Sequence, residues 1–466
     1  MASAAPAPPR AAARASPRMR LLFGVLVLVL MFALVAPMFR DTIAHEAPQP
    51  VAGDVSYRGW GPLSAPVELG GTWRLTWLGQ DDADTPPGAT AAAPVPGKWG
   101  GIAVSGGSRL PPTGAAAYTV VLRDLAPGRY TLYIPIAFAA DAVYIDERLV
   151  ERRGTVATNA AGTRYHMRSH EIPVEATGAP LVIRVDLAAF LHRDSGIGGT
   201  PIFGLAEPMR RWTALEWMKN LALHSALLLL GLNALITFLF RRQDRASLFL
   251  AVASFCAIPG TAILSYDNLL LLALPELPFT AMLALQYLAT TAAIGCLFAY
   301  IATLYPRETP RWLARSAIAL VALYFVAVSI AFLFATTYDA SRIAIVWPLV
   351  SGFTLLGAIA VVLRAGLRGR DGALILLLGF AVFTFFVLNA TLGFAGVPQR
   401  YLFGNYALPL GMLMWLFSHF IVLAERWTLA IDSAERINAD LRQLIEVNSA
   451  ITSEMQLDQL LARIVE

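Results

Sequence analysis

Eight apolar runs limit the architecture of this chain more than any other feature. A helix needs about 20 mostly apolar residues to cross a bilayer. One such run lies near the N-terminus, and seven more follow in quick succession after a gap of about 180 residues. We therefore predict a multidomain membrane protein with one anchor and seven further spans, at residues 21–38, 221–240, 246–264, 279–304, 313–334, 343–363, 373–392 and 403–424.

Composition agrees with this interpretation. Hydrophobic residues make up 57% of the chain and charged residues only 15%, against roughly 25% charged in an average soluble domain. The net charge of +4 is small, so we predict no nucleic-acid partner. Cys256 and Cys296 both lie in apolar runs, where they are expected to pack as small hydrophobic residues, and the segment between the first two spans contains no cysteine.

Arginines in the short loops predict the orientation. Loops on the cytoplasmic side carry an excess of positive residues, and here arginine-rich loops alternate with arginine-poor ones along the chain. Both termini are therefore predicted to be cytoplasmic, and residues 40–212 extracytoplasmic. The arginines that decide this are Arg241, Arg242, Arg245, Arg307, Arg311, Arg315, Arg364, Arg368 and Arg370.

The first apolar run allows two interpretations. A basic cytoplasmic tail, residues 1–20, precedes it, as in a cleaved signal peptide. However, the run is longer than a typical signal-peptide core, and no small-x-small cleavage motif follows it. We favour a retained transmembrane signal anchor at residues 21–39.

The extracytoplasmic segment, residues 50–210, has the pattern of an all-β domain. Apolar residues alternate at Tyr118, Val120 and Leu122, and again within 130–136 and 181–187. Residues 142–150 are typical of a hairpin with a polar turn at Asp146-Glu147. Several short strands separated by Pro and Gly predict a sandwich or jelly roll.

The extracytoplasmic segment contains, in this order, the motifs GTWRL (71–75), VPGKW (95–99), AYTV (117–120), VYID (143–146) and LHRDSGIGG (191–199). This order resembles the jelly-roll sensor of bacterial seven-transmembrane receptors with diverse intracellular signalling modules. The seven spans at 215–424 and the segment RRQDR after the first of them fit the same family, over about residues 55–440. One departure is Asp146-Glu147, where the family tends to have Asn-Gly, although both pairs suit a turn.

This resemblance implies a receptor in the bacterial inner membrane whose β-domain senses a small molecule. A carbohydrate-like ligand follows only by analogy with carbohydrate-binding modules of similar shape.

The candidate ligand residues also have structural alternatives. Trp99 could equally pack in the core, and the 192–194 loop could be held by a local ion pair. Metal binding is not expected, because no third histidine or cysteine accompanies His166 and His170, but pH sensing remains open. The candidate ligand residues are Trp99, Arg109, Tyr165, His166, His170, His192, Arg193 and Asp194.

Polar side chains within the predicted spans are few. Asn233, Asn389 and His419 are expected to hydrogen-bond between helices, with a ligand role as the alternative. No carboxylate lies in the middle of a predicted span, which argues against a transporter or membrane enzyme. The last span lacks a lysine, which excludes a retinal Schiff base there, and we predict no cofactor.

Residues 425–455 continue the last span as a predicted coiled-coil helix without Pro or Gly. Apolar residues recur in alternating steps of three and four, and Asn448 occupies an a position, which favours a parallel two-stranded coil. We therefore predict a homodimer, with packing on a downstream domain as the alternative. The seam comprises Trp427, Ala430, Ala434, Ile437, Leu441, Leu444, Asn448, Ile451 and Met455.

Residues 456–466 resemble the first helix of a GAF domain, so the chain is expected to end where a further cytoplasmic domain begins. No catalytic motif is recognised in the residues present. The predicted function is signal transduction to a cytoplasmic output, with a sensor histidine kinase ranked ahead of a nucleotide or diguanylate cyclase. The alternatives from another class are a membrane transporter and a membrane assembly protein whose coil recruits a separate cytoplasmic signalling partner.

Overall fold

A computed structural model describes residues 17–39, 43–44, 46–60, 63–81, 85–263, 266–394 and 406–465. Ten α-helices lie in these ranges, and eight of them overlap the predicted spans. The tail before residue 17 and the start of the last predicted span, residues 403–405, lie outside the described residues. The helices are α1 (Pro17–Val35), α2 (Ala206–Phe240), α3 (Arg245–Ala262), α4 (Leu269–Ala273), α5 (Phe279–Leu304), α6 (Arg311–Phe334), α7 (Thr337–Arg342), α8 (Trp347–Leu367), α9 (Ala373–Phe394) and α10 (Ala407–Val465).

Six of the described helices are long and apolar enough to cross a membrane, namely α2, α3, α5, α6, α8 and α10. The apolar parts of α1 and α9 are shorter, covering Leu22–Val35 and Ala373–Asn389. The structure is therefore that of a multi-pass membrane protein, as the apolar runs predict. α6 leaves most of its apolar surface exposed, as expected for a helix that faces lipid.

A two-sheet β-sandwich lies between α1 and α2. Its larger sheet has the order β4-β3-β5-β10-β7-β8, with β1 paired to β5, and the smaller sheet has the order β2-β11-β6-β9. The sandwich that the alternating apolar residues predict is confirmed. The strands are β1 (Asp54–Ser56), β2 (Val67–Glu68), β3 (Gly71–Gly79), β4 (Thr90–Val95), β5 (Gly114–Arg123), β6 (Gly128–Ile134), β7 (Ala140–Ile145), β8 (Arg148–Arg153), β9 (His170–Ala176), β10 (Leu181–Ala189) and β11 (Ile202–Leu205).

The predicted hairpin is formed by β7 and β8. Ile145 pairs with Arg148, which leaves Asp146 and Glu147 as the two turn residues. Both have positive φ, 47° and 66°, as a two-residue turn between right-twisted strands requires. Asp146 also accepts a hydrogen bond from the backbone N–H of Val182, which offsets the cost of the left-handed conformation.

Apolar residues of both sheets fill the sandwich core. In β5, Tyr118, Val120 and Leu122 point inward and are fully buried, which matches their spacing of two. Three tryptophans, Trp73, Trp77 and Trp99, lie in the same core. Burying one such side chain contributes roughly 2–3 kcal/mol, so this core can stabilise the domain although none of the described cysteines forms a disulfide.

The helix α2 begins well before its predicted span. α2 begins at Ala206, directly after β11, and so extends 15 residues before the predicted start at Leu221. The spans are predicted from hydropathy, which Glu207, Glu216 and Lys219 lower. The backbone is nevertheless already helical at these three residues. The short helices α4 and α7, in loops on the β-domain side, carry no signal strong enough for the sequence to predict.

Candidate functional site

The β-domain rests on the membrane helices through a set of polar and aromatic contacts that we call the junction. It joins the β-domain to the α3–α5 connection and to the first half of α2. β11 also runs into α2 at Leu205 without a loop. A strand that continues directly into a helix leaves little freedom between the two, so the orientation of the sandwich is tied to that of α2.

Asp267 is the centre of the junction. Its carboxylate accepts hydrogen bonds from Nη2 of Arg168 at 2.6 Å, from the backbone N–H of Ser169 at 3.3 Å and from the backbone N–H of Asn268 at 3.0 Å. Its carbonyl oxygen accepts from Nδ2 of Asn220 on α2 at 3.3 Å. One buried acid therefore joins the β-domain, the α3–α5 connection and α2.

Tyr266 makes a second set of contacts beside Asp267. Its hydroxyl donates to Glu171 of β9 at 2.5 Å, and its carbonyl accepts from the hydroxyl of Tyr133 of β6 at 2.6 Å. The rings of Tyr133 and Tyr266 stack with centroids 4.8 Å apart, and Trp212 and Trp217 of α2 contact Tyr266 edge-on. Aromatic pairs of this kind add about 0.5–1.5 kcal/mol each beyond area burial.

A second contact region lies at His192 and Arg193. The backbone N–H of Arg193 donates to Ser341 of α7 at 3.0 Å, and His192 Nε2 lies 3.4 Å from the hydroxyl of Tyr287 of α5. The His192 ring stacks on Phe138 with centroids 4.1 Å apart. The predicted residue His192 thus contacts the membrane helix α5, and Arg193 contacts the short helix α7, which their positions in the sequence did not reveal.

Trp99 is fully buried in the sandwich core. It contacts Trp77 edge-on and lies beside Tyr118. In this arrangement Trp99 cannot form the surface platform that a sugar ring requires, which corrects its selection as a ligand residue. On the β-domain, Trp60 is 37% exposed, so its ring is accessible to a ligand.

His170 is also buried, between two acids. Its Nε2 contacts Asp141 of β7, and its Nδ1 lies 3.3 Å from Glu151 of β8. Burial lowers the pKa of His170, but the hydrogen bond and charge of Asp141 and the charge of Glu151 outweigh it, so the net shift is upward. His170 therefore links β7, β8 and β9, and it is not accessible to a ligand. Among the described residues, no cluster suited to a metal ion is found.

The remaining predicted ligand residues do not form one site. Arg109 is exposed and donates to the carbonyl of Gly101 at 2.7 Å, within its own loop. The hydroxyl of Tyr165 accepts from the backbone N–H of Phe190 and Leu191. Asp194 forms an ion pair with Lys98. His166 is half-buried, and burial lowers its pKa, with the positive charges of Arg153 and Arg168 acting in the same direction.

A groove of about 280 Å³ lies between the edge strands β8 and β9. It contains no aromatic side chain, and none of the predicted ligand residues lines it. Its lining is formed by Arg148, Leu149, Val150, Glu151, Ile172 and Pro173.

The polar residues predicted in the spans have different surroundings. Asn233 is exposed on α2, so its side chain does not bond between helices within this chain, contrary to prediction. Asn389 is half-buried. His419 is fully buried among Tyr300, Phe380 and Trp415, with centroid distances of 4.6, 6.2 and 4.0 Å, and neither ring nitrogen has a hydrogen-bond partner among the described residues.

Sequence reasoning missed a buried ion pair on α2. Nζ of Lys219 donates to Glu216 at 2.5 Å, and both residues are less than 10% exposed. The hydroxyl of Tyr406, the residue directly before α10, donates to the carbonyl of Glu216 at 3.0 Å. Two opposite charges three positions apart on one helix are a pattern from which the sequence could have predicted this ion pair. The pair was missed because the predicted span began only at Leu221.

The last helix leaves the bundle without a break. α10 is 59 residues long, and its second half extends beyond the other helices. Its projecting part exposes Trp427, Ile437, Leu441 and Leu444, and Asn448 lies on the same helix. Ile451 is helical, but its side chain lies outside the described part of the chain.

His192 provides a pH prediction. Burial lowers its pKa to about 4, and Nδ1 accepts a hydrogen bond from the backbone N–H of Asp194, so the folded ring is neutral. Since the unfolded chain binds the proton near pH 6.5, the contribution of His192 to the free energy of unfolding should be fully present above that pH. It should fall by about 3 kcal/mol as the pH drops to 4. Thermal unfolding of the full chain from pH 7.5 to 4 measures this loss. In His192→Asn, which keeps an acceptor but does not titrate, the pH dependence should be smaller; an unchanged profile would contradict the assignment.

Comparison with known families gives one match. Residues 216–426 match the model of the family described as 7TM diverse intracellular signalling. The matched segment starts at the buried Glu216 and ends where α10 leaves the bundle. No curated protein matches the chain.

Solved structures give partial similarities. They include a beta-galacturonidase from Eisenbergiella tayi bound to galacturonate (16% identity, TM-score 0.23, covering 31% of this chain and 25% of the enzyme). A beta-glucuronidase from Faecalibacterium prausnitzii has 12% identity and a TM-score of 0.23, covering 30% of this chain and 31% of the enzyme. The chain thus spans less than a third of the length of either enzyme, and TM-scores this low carry no argument about function.

Proposed function

We propose that this chain, whose residues 216–426 belong to the 7TM diverse intracellular signalling family, senses a small molecule at its β-domain and relays that signal to a cytoplasmic output. The junction at Asp267 is the observation that carries the proposal. A buried polar contact between two domains is sensitive to a small displacement, because moving one partner leaves the other unsatisfied. A ligand that shifts the sandwich therefore changes the relative stability of bundle arrangements.

The proposed orientation follows the arginine-rich loops, with the β-domain outside an inner membrane and α10 projecting into the cytoplasm. β11 continues into α2, and α2 packs on α10 and accepts, at the carbonyl of Glu216, a hydrogen bond from Tyr406, the residue directly before α10. The path from the β-domain to the output helix thus consists of packed elements, and α10 has no described break at which motion could be lost. A ligand acts on this path only through its different affinity for two states.

The proposed ligand is a small molecule with carbohydrate-like hydroxyl groups. Of the predicted ligand residues, Arg109 is exposed, and Trp60 is an exposed tryptophan elsewhere on the β-domain. Aromatic rings and a few polar groups are the side chains that bind such ligands. Trp99, His170 and His192 have no part in the proposed contact, because they are buried.

The proposed output is a histidine kinase, with a nucleotide or diguanylate cyclase as the alternative, joined to or recruited by α10. The exposed heptad residues of α10 support a parallel homodimer at this point, because apolar a and d positions gain stability only when a second helix covers them. The chain itself is proposed to act in sensing and transmission.

Ligand-dependent crosslinking tests this function. The full chain, reconstituted in lipid nanodiscs with a single cysteine at position 441, is screened against a panel of sugars and other small metabolites by thermal shift. We expect a compound that raises the unfolding midpoint also to change the rate of disulfide formation at position 441. Binding that leaves this rate unchanged would contradict the relay, and failure of every compound to bind would contradict the sensor.

A further inference from the structure

A pocket lies at the end of the bundle opposite the β-domain, between the α5–α6 loop and the α8–α9 loop. Its volume is about 440 Å³, and Leu304, Tyr305, Pro306, Arg307, Glu308, Arg370 and Asp371 line it. The loops that form it connect membrane helices directly. The pocket therefore opens near the level of the lipid headgroups and not deep within the bundle.

Glu308 forms the rigid base of this pocket. It is only 2% exposed and accepts a hydrogen bond from Nε of Arg370 at 2.7 Å, with Nη1 of Arg368 at 3.8 Å. The hydroxyl of Tyr305 donates to the carbonyl of Asp371 at 3.1 Å. These contacts fix the two loops against each other, so the pocket is held open by its own ion pair.

The surroundings of the pocket are strongly positive. Six arginines lie on the two loops and the adjoining helix ends, against the acids Glu308 and Asp371. Arg307 lines the pocket and is exposed, and no acid lies within ion-pair distance of it among the described residues. Its guanidinium is thus available to an anion, and planar bidentate contact with a phosphate is the interaction it favours. The six are Arg307, Arg311, Arg315, Arg364, Arg368 and Arg370.

Exposed apolar residues beside the pocket indicate a lipid and not a soluble phosphate. Trp312, the second residue of α6, is 66% exposed, and Leu367, the last residue of α8, is 82% exposed. Tryptophans at helix ends are typical of the membrane interface. Leu304 adds an apolar part to the pocket lining, where the glycerol end of a lipid would lie.

We propose that this pocket binds the phosphate headgroup of an anionic phospholipid, with Arg307 as its principal ligand. Basic pockets between membrane helices suit such headgroups. The position also gives the lipid access to the output helix: Gly372, next to the pocket, has φ of +73° and packs directly against Val422 of α10. An occupied pocket therefore stabilises the α8–α9 loop where that loop supports α10. This proposal rests on the bundle lying in a membrane but not on the β-domain sensing a ligand.

Titration with short-chain lipids tests the proposal. Dioctanoyl phosphatidylglycerol is added to the full chain in a neutral detergent, and the unfolding midpoint is followed against lipid concentration. We expect a saturable increase with phosphatidylglycerol and none with dioctanoyl phosphatidylcholine. In Arg307→Gln, the half-saturating concentration should rise about fivefold, as expected for loss of one basic contact. Arg307 makes no described contact that folding requires.

Arg241→Gln is the matched control, because Arg241 is exposed on the same side of the bundle but outside the pocket. It should bind like the unmodified chain. Equal weakening in both variants would overturn the site in favour of diffuse surface attraction. An equal increase with phosphatidylcholine would also overturn it, and glycerol phosphate acting at the same concentration as phosphatidylglycerol would overturn the assignment to a lipid.

Discussion

Replacing Asp267 with alanine is expected to lower the free energy of unfolding by about 3 kcal/mol. The substitution removes the ion pair with Arg168 and leaves the backbone N–H groups of Ser169 and Asn268 without their acceptor. Asp267 is 4% exposed, so water replaces little of what is lost. The unfolding midpoint of the full chain in detergent should fall by roughly 6–12 °C, because each kcal/mol corresponds to about 2–4 °C for a cooperatively unfolding unit of about 150–250 residues.

Glu276→Ala is the matched control for this substitution. Glu276 lies in the same α3–α5 connection but is exposed, so its removal should change the midpoint little. A double-mutant cycle with Arg168→Met isolates the ion pair, and a coupling energy of roughly 1–2 kcal/mol is expected between contacting residues. Equal effects of Asp267→Ala and Glu276→Ala would show that the junction does not contribute to stability.

A second substitution at Asp267, to asparagine, separates ligand binding from signal relay. The hydrogen bonds of Asp267 described above go to Arg168, Ser169, Asn220 and Asn268, none of which is proposed to contact the ligand. Asp267→Asn keeps the size of the side chain and one acceptor oxygen but removes the charge that holds Arg168. A ligand should therefore still raise the unfolding midpoint of Asp267→Asn, while its effect on crosslinking in α10 is reduced.

The architecture could be predicted because its signals are local. An apolar run of about 20 residues, or an alternation such as Tyr118-Val120-Leu122, reports on burial without knowledge of the rest of the fold. The hairpin turn at Asp146-Glu147 was similarly determined by a few neighbouring residues. The start of α2 was harder to place, because the backbone is already helical where charged residues lower the hydropathy.

The junction could not be predicted because it depends on residues far apart in the chain. Arg168 and Asp267 are 99 positions apart, and nothing local to either one identifies its partner. The run Tyr266-Asp267-Asn268 between two apolar segments was a weak signal that a loop carries polar contacts. For Trp99 the same sequence motif fits a core or a surface site, and only the packing against Trp77 decides between them.

Disulfide crosslinking along the projecting part of α10 should give covalent dimers at the seam positions. In a background with Cys256→Ala and Cys296→Ala, Ile437→Cys and Leu441→Cys occupy d and a positions, whose side chains meet across the axis of a parallel coil. Both residues are at least 50% exposed in the single chain, so a partner helix has apolar surface to cover. We expect rapid dimer formation in membranes under mild oxidation.

Ala439→Cys is the control for this experiment. Position 439 is also exposed on α10 but lies at f, on the side of the helix facing away from the seam, so its crosslinking should be slow. Replacing Asn448 at its a position with leucine should strengthen association while relaxing the preference for two parallel strands, because a buried polar a residue sets register at a cost in stability. If positions 437, 439 and 441 crosslink at equal rates, α10 has no defined seam, and a parallel coil cannot be the element that transmits the signal.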